Sequence, residues 1–350
     1  MKAHAPGRGL VLVVVALVVA LAATAVEASG SRQAPPAPKP LSAAAWRALI
    51  GKAQAEGSVT IYSVQDPTDL AALADQFQQK FKIKVNVVRN VDNVLVGLID
   101  AEESTGRAIA DLWVGSQKRY ALGAMRNGWV VDPIGPNFFK SRYDRTKLMF
   151  GKAWIAGSAI LGMAWNTAAY QGPVRDATTF LRPEFKGKIG VPDPRVSTSF
   201  MDWYLFQEKK YGADILDKLA AQNPKIYISS LPMTQAVASG EIIGAPLAAG
   251  TALVLKAQGA PIDYKVLPDN WNAPYIGLVL KQAPHPNAAQ LLADYILSPE
   301  GQGLVDKGFG AVYPNIGGTF YAQPRIVNVN DFTPAKVKAF TDHWVQLFTK

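Results

Sequence analysis

Short apolar segments alternate with amphipathic ones along most of this 350-residue chain, and this alternation restricts its fold more than any other feature. Apolar residues over 70–81 recur at the spacing of a helix face. The flanking stretches 59–62 and 83–88 are short and rich in β-branched residues, as strands are. Strands and helices that alternate at these lengths form βαβ units, so the pattern predicts an α/β fold with a parallel sheet.

A second set of such elements begins near residue 150. Apolar strands are predicted at 153–156 and 159–165, with a turn at Gly157 and Ser158 between them. Trp271 is expected in a loop before a later strand.

Two sets of this length can each bury a core, which predicts two lobes. The expected boundaries place residues 41–145 and 268–350, including the C-terminal helices, in lobe 1 and residues 146–267 in lobe 2. Ligands of open α/β sheets bind beyond the carboxyl ends of the strands, where helix N-termini also point. The crevice between the lobes is therefore the expected ligand site.

The first 40 residues predict export. Lys2 and Arg8 precede an apolar run that ends in small residues, a pattern typical of a cleaved signal peptide over 1–28. The alternative is an uncleaved membrane anchor. Residues 29–40 are too rich in proline for a helix or sheet and are expected to form a tether. The chain has no cysteine, which excludes a lipoprotein anchor and disulfides, so a free periplasmic protein is expected.

The chain is basic, with a formal net charge of +9. The basic residues are scattered, and even Lys80, Lys82 and Lys84 alternate with Phe81 and Ile83. No basic run typical of nucleic-acid binding occurs, so nucleic acid is not an expected partner. A positive surface also attracts anionic solutes towards a crevice.

Several segments occur in an order typical of a known family. They are Val59-Thr-Ile-Tyr-Ser63, Ala110-Asp-Leu-Trp113, residues 181–189 (LRPEFKGKI), residues 235–241 (QAVASGE), residues 285–302 (HPNAAQLLADYILSPEGQ) and Tyr313-Pro314. With these segments the chain resembles the extracellular solute-binding proteins of ABC importers, in the ferric-iron-type branch. The resemblance implies a two-lobed type II periplasmic-binding-protein fold with a hinge and an interlobe cleft. It also implies a ligand that touches both lobes, and a closed form recognised by the importer's membrane subunits.

The family's iron-binding members hold Fe³⁺ with two adjacent tyrosines, whose positions fall here at about Gly250 and Thr251. No tyrosine is present there, and Asp66 and Ser116 stand where such relatives carry His and Glu. We therefore expect no metal and an organic ligand. Ferric iron held by other ligands or by a synergistic anion is the alternative.

Polar residues at the predicted strand ends are candidate ligand contacts. Those of lobe 1 are Ser63, Gln65, Asp66, Arg89, Asn90, Asp92, Ser116 and Gln117. Those of lobe 2 are Arg195, Ser197, Thr198, Ser199, Ser230 and Thr251. Hydroxyls beside a helix N-terminus, together with two arginines, predict a small organic anion or zwitterion, unless Ser197 or Thr198 only caps its helix. Trp271 and Tyr275 are candidates for stacking on a ring or cation, with lobe packing as the alternative.

Catalysis is not expected. A hydrolase needs a nucleophile with an oriented base, yet the chain has no cysteine and, beyond the leader, only His285 and His343. The sequence thus predicts a monomeric binding protein without a cofactor that serves the membrane subunits of an ABC importer. A binding partner of a membrane sensor would share every one of these features.

Overall fold

The structure is a computed structural model that describes residues 39–267, 271–305, 310–316, 320–321 and 329–349. The predicted signal peptide and residues 29–38 of the tether lie outside the described residues. Within the described ranges, no helix is long and apolar enough to cross a membrane.

Helices and strands follow one another through both halves of the chain. The helices are α1 (Ala43–Glu56), α2 (Pro67–Phe81), α3 (Asp92–Thr105), α4 (Lys118–Arg126), α5 (Arg145–Leu148), α6 (Thr198–Tyr211), α7 (Ile215–Ala221), α8 (Ser230–Ser239), α9 (Ala249–Ala257), α10 (Pro286–Ile296), α11 (Pro299–Val305) and α12 (Pro334–Phe348). The strands are β1 (Ser58–Ser63), β2 (Lys84–Arg89), β3 (Leu112–Gly115), β4 (Val130–Val131), β5 (Met149–Phe150), β6 (Ala153–Asn166), β7 (Gly190–Pro192), β8 (Lys225–Tyr227), β9 (Gly244–Ala248), β10 (Ile262–Lys265), β11 (Trp271–Leu280), β12 (Gly310–Ala311) and β13 (Phe320–Tyr321).

Local chemistry explains why α2 begins and ends where it does. The Asp66 carboxylate accepts a hydrogen bond from the Thr68 N–H at 2.8 Å, and Pro67 occupies the first helical position. Lys82 ends the helix in the left-handed conformation, with φ of 61°. The face turned to the core carries Leu70, Leu73 and Phe77.

The main sheet is mixed rather than parallel throughout. Strand β1 pairs in parallel with β2 and β3, as the sequence predicts for these βαβ units. Beyond β3 the sheet continues through β11 and β6, and both of these pairings are antiparallel. Parallel pairing also joins β12 to β13 and β7 to β8. The prediction of a parallel sheet is therefore correct for the first three strands but wrong for the centre of the main sheet.

Strand β6 runs without interruption for 14 residues, so the predicted turn at Gly157 and Ser158 is wrong. Both residues stay extended because they pair with Tyr275 and Pro274 of β11. The prediction of a loop around Trp271 is also wrong, since this residue begins β11. A proline inside a strand usually marks an edge or a break, and Pro274 lies within β11. For this reason the sequence does not predict the first part of this strand.

The strand pairings separate two sets of elements. Strands β1 to β4 connect to the C-terminal half of β11, whereas β9 and β10 pair with the C-terminal half of β6. We call these sets the first lobe and the second lobe. Strands β6 and β11 pair with each other across both sets, with a register shift between Tyr275 and Ile276. These two long strands are thus the structural link between the lobes.

The last helix packs on elements of the second lobe. The ring of Trp344 on α12 lies 6.2 Å from that of Tyr204 on α6 and stacks on Phe348 at 4.9 Å. Trp344 is completely buried. The residue boundaries of the lobes stay a prediction, but this contact argues against grouping α12 with lobe 1.

One buried carboxylate makes the stability of the first lobe depend on pH. Asp294 on α10 accepts hydrogen bonds from the backbone and side-chain amides of Asn137 at 2.6 and 2.8 Å. Burial nevertheless raises the pKa of Asp294 from 3.8 to about 6. Because the folded-state pKa is the higher one, the stabilising proton is fully bound below about pH 3.8 and is lost as the pH rises through about 6.

The substitution Asp294→Asn removes this titration. Relative to this variant, we expect the free energy of unfolding of the wild type to fall by on the order of 3 kcal/mol between pH 4 and pH 8. Urea unfolding of both proteins across that range measures the difference. A difference that does not change with pH would contradict the assignment.

Candidate ligand-binding cleft

A cleft of about 760 Å³, counting the open solvent at its mouth, lies between the two lobes. The two linking strands contribute its floor: Ala159 and Leu161 come from β6, and Trp271, Ala273 and Tyr275 come from β11. Because the strands of both lobes end around this floor, loops and helix starts supply the walls.

Most of the predicted contacts line this cleft. They are Asp66, Arg89, Asn90, Asp92, Ser116, Ser197, Ser199, Ser230, Thr251, Trp271 and Tyr275. These residues come from distant parts of the sequence, and the fold brings them together at the ends of the strands.

Three predicted contacts of the first lobe lie outside the cleft lining and hydrogen-bond within the protein. Ser63 and Gln65 bond to each other, with the Ser63 Oγ donating to the Gln65 Oε1 at 3.2 Å, and both are buried. The Gln117 Nε2 donates to the Asn93 Oδ1 at 2.7 Å. In these roles they support the walls of the cleft.

The structure also turns Arg195 away from the cleft. Its Nε and Nη2 donate to the Asp193 carboxylate at 2.9 and 2.6 Å, and its guanidinium lies 5.5 Å from the Trp344 ring centroid. Asp193 is only 3% exposed, so its charge requires a close partner. Hydrogen bonding to Asp193 raises the pKa of Arg195. Thr198, the first residue of α6, lines a smaller neighbouring cavity instead.

Asp92 joins the two lobes at the edge of the cleft. Its carboxylate accepts hydrogen bonds from the Ser116 N–H at 3.1 Å and the Ser116 Oγ at 2.5 Å in the first lobe. The Ser197 Oγ of the second lobe donates to the same carboxylate at 3.0 Å. Burial raises the pKa of Asp92, while the bonds from the two serines oppose that rise. These bonds occupy Asp92 and make it a contact between lobes.

A second hydrogen bond crosses beside the first. The Asn93 Nδ2 on α3 donates to the backbone carbonyl of Arg195 at 2.8 Å. Because Asn93 also accepts the bond from Gln117, its side chain has a fixed orientation. The described structure thus shows the lobes in direct contact along one side of the cleft.

Among the described residues, Arg89 is the cationic side chain of the cleft lining. It ends β2, is half-buried, and donates from its Nε to the Gln65 carbonyl at 3.3 Å. Its two terminal nitrogens have no hydrogen-bond or ion-pair partner among the described residues. They are therefore available to a ligand, and a guanidinium matches carboxylate and phosphate oxygens well.

Three helices begin at the cleft without a side-chain cap. The residues before α3, α8 and α9 are Val91, Ser229 and Ala248, and all three line the cleft. The first N–H groups of an α-helix have no partner within the helix, and they carry partial positive charge. These helix starts add N–H donors to those of Arg89, in a lining that also contains the Asp66 and Asp92 carboxylates.

Thr251 lines the cleft, but its hydroxyl is already engaged. It donates to the Ala248 carbonyl at 3.0 Å and accepts from the Thr234 Oγ1 at 2.8 Å. At the position where an iron-binding relative would carry a tyrosine, this chain thus has a small side chain whose hydroxyl is bonded within the protein.

The sequence did not identify the apolar part of the lining. These residues are Val64, Val91, Ala159, Leu161, Val196, Phe200, Ile228, Leu231, Ala248 and Ala273. Apolar residues at strand ends and helix starts look like ordinary core positions, so no sequence signal separates them from the core.

Comparison with known proteins identifies the family. Residues 59–309 match the bacterial extracellular solute-binding proteins. The chain belongs to this family. An uncharacterized protein of Haemophilus influenzae is 25% identical to this solute-binding protein over 285 residues, which cover 75% of this chain and 80% of that protein.

Solved structures show the same fold at low sequence identity. The periplasmic binding protein AfuA from Actinobacillus pleuropneumoniae, with fructose-6-phosphate bound, has a TM-score of 0.67 and 21% identity, covering 84% of this chain and 99% of AfuA. Iron-bound HitA from Pseudomonas aeruginosa has a TM-score of 0.63 and 18% identity, covering 83% of this chain and 98% of HitA. This solute-binding protein therefore has the predicted two-lobed type II periplasmic-binding-protein fold, with a hinge and an interlobe cleft.

Elsewhere in this solute-binding protein, the side chains of a serine, a histidine and an aspartate form a chain of hydrogen bonds. The Ser58 Oγ is 3.1 Å from the His285 Nε2, and the His285 Nδ1 is 2.9 Å from the Asp111 Oδ2. The Asp111 carboxylate also accepts from the backbone N–H groups of Thr60 and His285 at 2.7 and 2.6 Å. None of the three side chains lines the cleft. We interpret the array as the joint that fixes the start of α10 to β1.

The described parts of the chain contain no group of three or more His, Asp or Glu side chains that could hold a metal ion. Asp66 is the remaining carboxylate of the cleft lining, and one of its oxygens caps α2. Asp66 and Arg89 line the same cleft, which suits a ligand that carries both charges.

Proposed function

We propose that this solute-binding protein is the periplasmic component of an ABC importer and binds a small organic anion or zwitterion in its cleft. The observation that carries the proposal is the Arg89 guanidinium, whose terminal nitrogens lie at the cleft without a partner among the described residues. An arginine in a partly desolvated cleft favours an anionic ligand.

The surroundings of Arg89 support this ligand class. The uncapped starts of α3, α8 and α9 supply further N–H donors from both lobes. The Asp66 carboxylate suits the ammonium group of a zwitterion. AfuA, which shares the fold, has the organic anion fructose-6-phosphate bound.

The lobe contacts support a transport role. A ligand shifts the balance between open and closed forms only if it binds one of them more tightly. Arg89 and α3 belong to the first lobe, whereas α8 and α9 belong to the second, so a ligand at these groups bridges both. The closed form is then the one that the membrane subunits recognise. The protein acts as a monomer and performs no chemistry on its ligand.

A thermal-shift screen of purified mature protein tests the ligand class. The probes are inorganic phosphate, glucose 6-phosphate, phenyl phosphate, benzoate, glycine and ferric citrate, with citrate alone as the control for the last. A ligand at about 100 times its Kd stabilises the folded protein by about 2.7 kcal/mol. We expect at least one organic anion or zwitterion to raise the melting temperature, without being consumed.

The other outcomes are equally distinct. A shift with ferric citrate and not with citrate would replace the organic ligand by iron. Conversion of a probe into a product would contradict a pure binding role. The importer role would be contradicted if cells that lack this protein took up the best probe as fast as cells that contain it.

A further inference from the structure

We infer that the body of the ligand is an aromatic ring or a branched hydrocarbon rather than a polyhydroxylated chain. This inference rests on the proposed function, because it assumes that an anionic head group binds at Arg89. The part of the ligand beyond this head group contacts the rest of the same cleft, and its chemistry defines the class of anion.

Several polar groups on the floor and walls are bonded within the protein. The Trp271 Nε1 donates to the buried Asp202 carboxylate at 2.6 Å, so the indole offers carbon surface to the cleft. The Thr251 hydroxyl is engaged by Thr234 and Ala248. Ser116 and Ser197 both donate to Asp92. Groups that line a cleft yet already have partners supply few hydrogen bonds to a ligand.

Apolar side chains make up most of the remaining lining. Leu161 and Ala273 lie on the floor, while Phe200, Ile228 and Leu231 come from the second lobe. Ile228 is 58% exposed, although a large aliphatic side chain gains stability only when it is covered. An apolar ligand body that covers Ile228 would provide that contact.

The two ligand types differ in what they lose on entering such a cleft. Each sugar hydroxyl gives up water and needs a partner, and a hydroxyl left without one lowers the affinity. An aromatic or aliphatic body loses no hydrogen bonds and gains contact with the apolar walls. The lining therefore favours the apolar body.

Pairs of anions that share a head group provide the direct test. Isothermal titration calorimetry compares phenyl phosphate with glucose 6-phosphate, and phenylacetate with gluconate. We expect the apolar member of the better-bound pair to bind at least about tenfold more tightly. Its heat capacity change on binding should also be the more negative, because more apolar surface is buried.

The substitution Ile228→Ser tests the wall itself. We expect it to weaken phenyl phosphate binding by about tenfold and to leave binding of inorganic phosphate, the head group alone, unchanged. Ile109→Ser is the matched control, because Ile109 is also 58% exposed but does not line the cleft. This control should change neither affinity.

The two levels of the proposal fail in different ways. If no anion of either pair binds, the proposed anion site is wrong. If hydroxylated anions bind as tightly as their apolar partners, or if Ile228→Ser leaves phenyl phosphate binding intact, the apolar body is overturned while the anion site stands.

Discussion

Replacing Arg89 by methionine weakens the binding of the best anionic probe by roughly 30- to 1,000-fold. This range corresponds to about 2–4 kcal/mol, within the cost of removing one partner of a desolvated charge pair. The terminal nitrogens of Arg89 have no protein partner among the described residues, so the substitution removes contacts with the ligand and costs the fold only the 3.3 Å bond from the Nε to the Gln65 carbonyl. Titration calorimetry measures the affinity, and the melting temperature of the ligand-free protein should stay within a degree or two of the wild type.

Arg195→Met is the matched control, since the sequence presented both arginines as equal candidates. Its guanidinium bonds to Asp193 and lies over Trp344, so its loss leaves a buried carboxylate without its cation. We expect unchanged affinity and a loss of about 1–3 kcal/mol in stability. If Arg195→Met weakens binding as much as Arg89→Met, the placement of the two arginines is wrong.

The second large effect is expected at Asp92. The substitution Asp92→Ala removes the acceptor that Ser197 of the second lobe shares with Ser116 of the first. Hydrogen bonds to charged groups contribute about 1.5–3 kcal/mol, so the closed form should lose that much and the affinity should fall by roughly 10- to 150-fold. Small-angle scattering with saturating phenyl phosphate should show a larger radius of gyration than for the wild type.

Two serine variants separate lobe contact from local structure. Ser197→Ala removes the bond between lobes and should reproduce most of the affinity loss, with an added cost of about 1 kcal/mol for the lost cap of α6. Ser116→Ala removes the hydroxyl bond within the first lobe and only a long contact of 3.5 Å to the Ser197 Oγ across the lobes, so it should affect the affinity less. Equal effects of the two variants would contradict a role for Asp92 in closure.

Local patterns were sufficient for the early elements of the fold. The residues near the start of α2 determine its cap at Asp66, the proline that follows and its apolar face. The path of β6 is not, because Gly157 and Ser158 stay extended only through their pairing with β11, more than a hundred residues later. Propensity alone cannot include a partner so distant in sequence.

The candidate site shows the same division. Strand ends predicted Arg89 and Ser230 at the cleft, since parallel strands deliver their C-terminal residues to one edge. The orientation of Arg195 depends on Asp193 and on Trp344 of the last helix, which no local pattern reports. The apolar lining was missed because its residues have the composition of a core.

The floor of the cleft consists of β6 and β11, the same strands that link the two lobes. A ligand that contacts Ala159 and Tyr275 therefore lies against the strands that link the lobes. We expect its depth in the cleft to affect how far the lobes close. We expect a bulky analogue that reaches these strands to keep the lobes from closing fully. Under the proposed transport role, we expect such a compound to bind without being taken up, so that uptake selects its ligands more strictly than binding does.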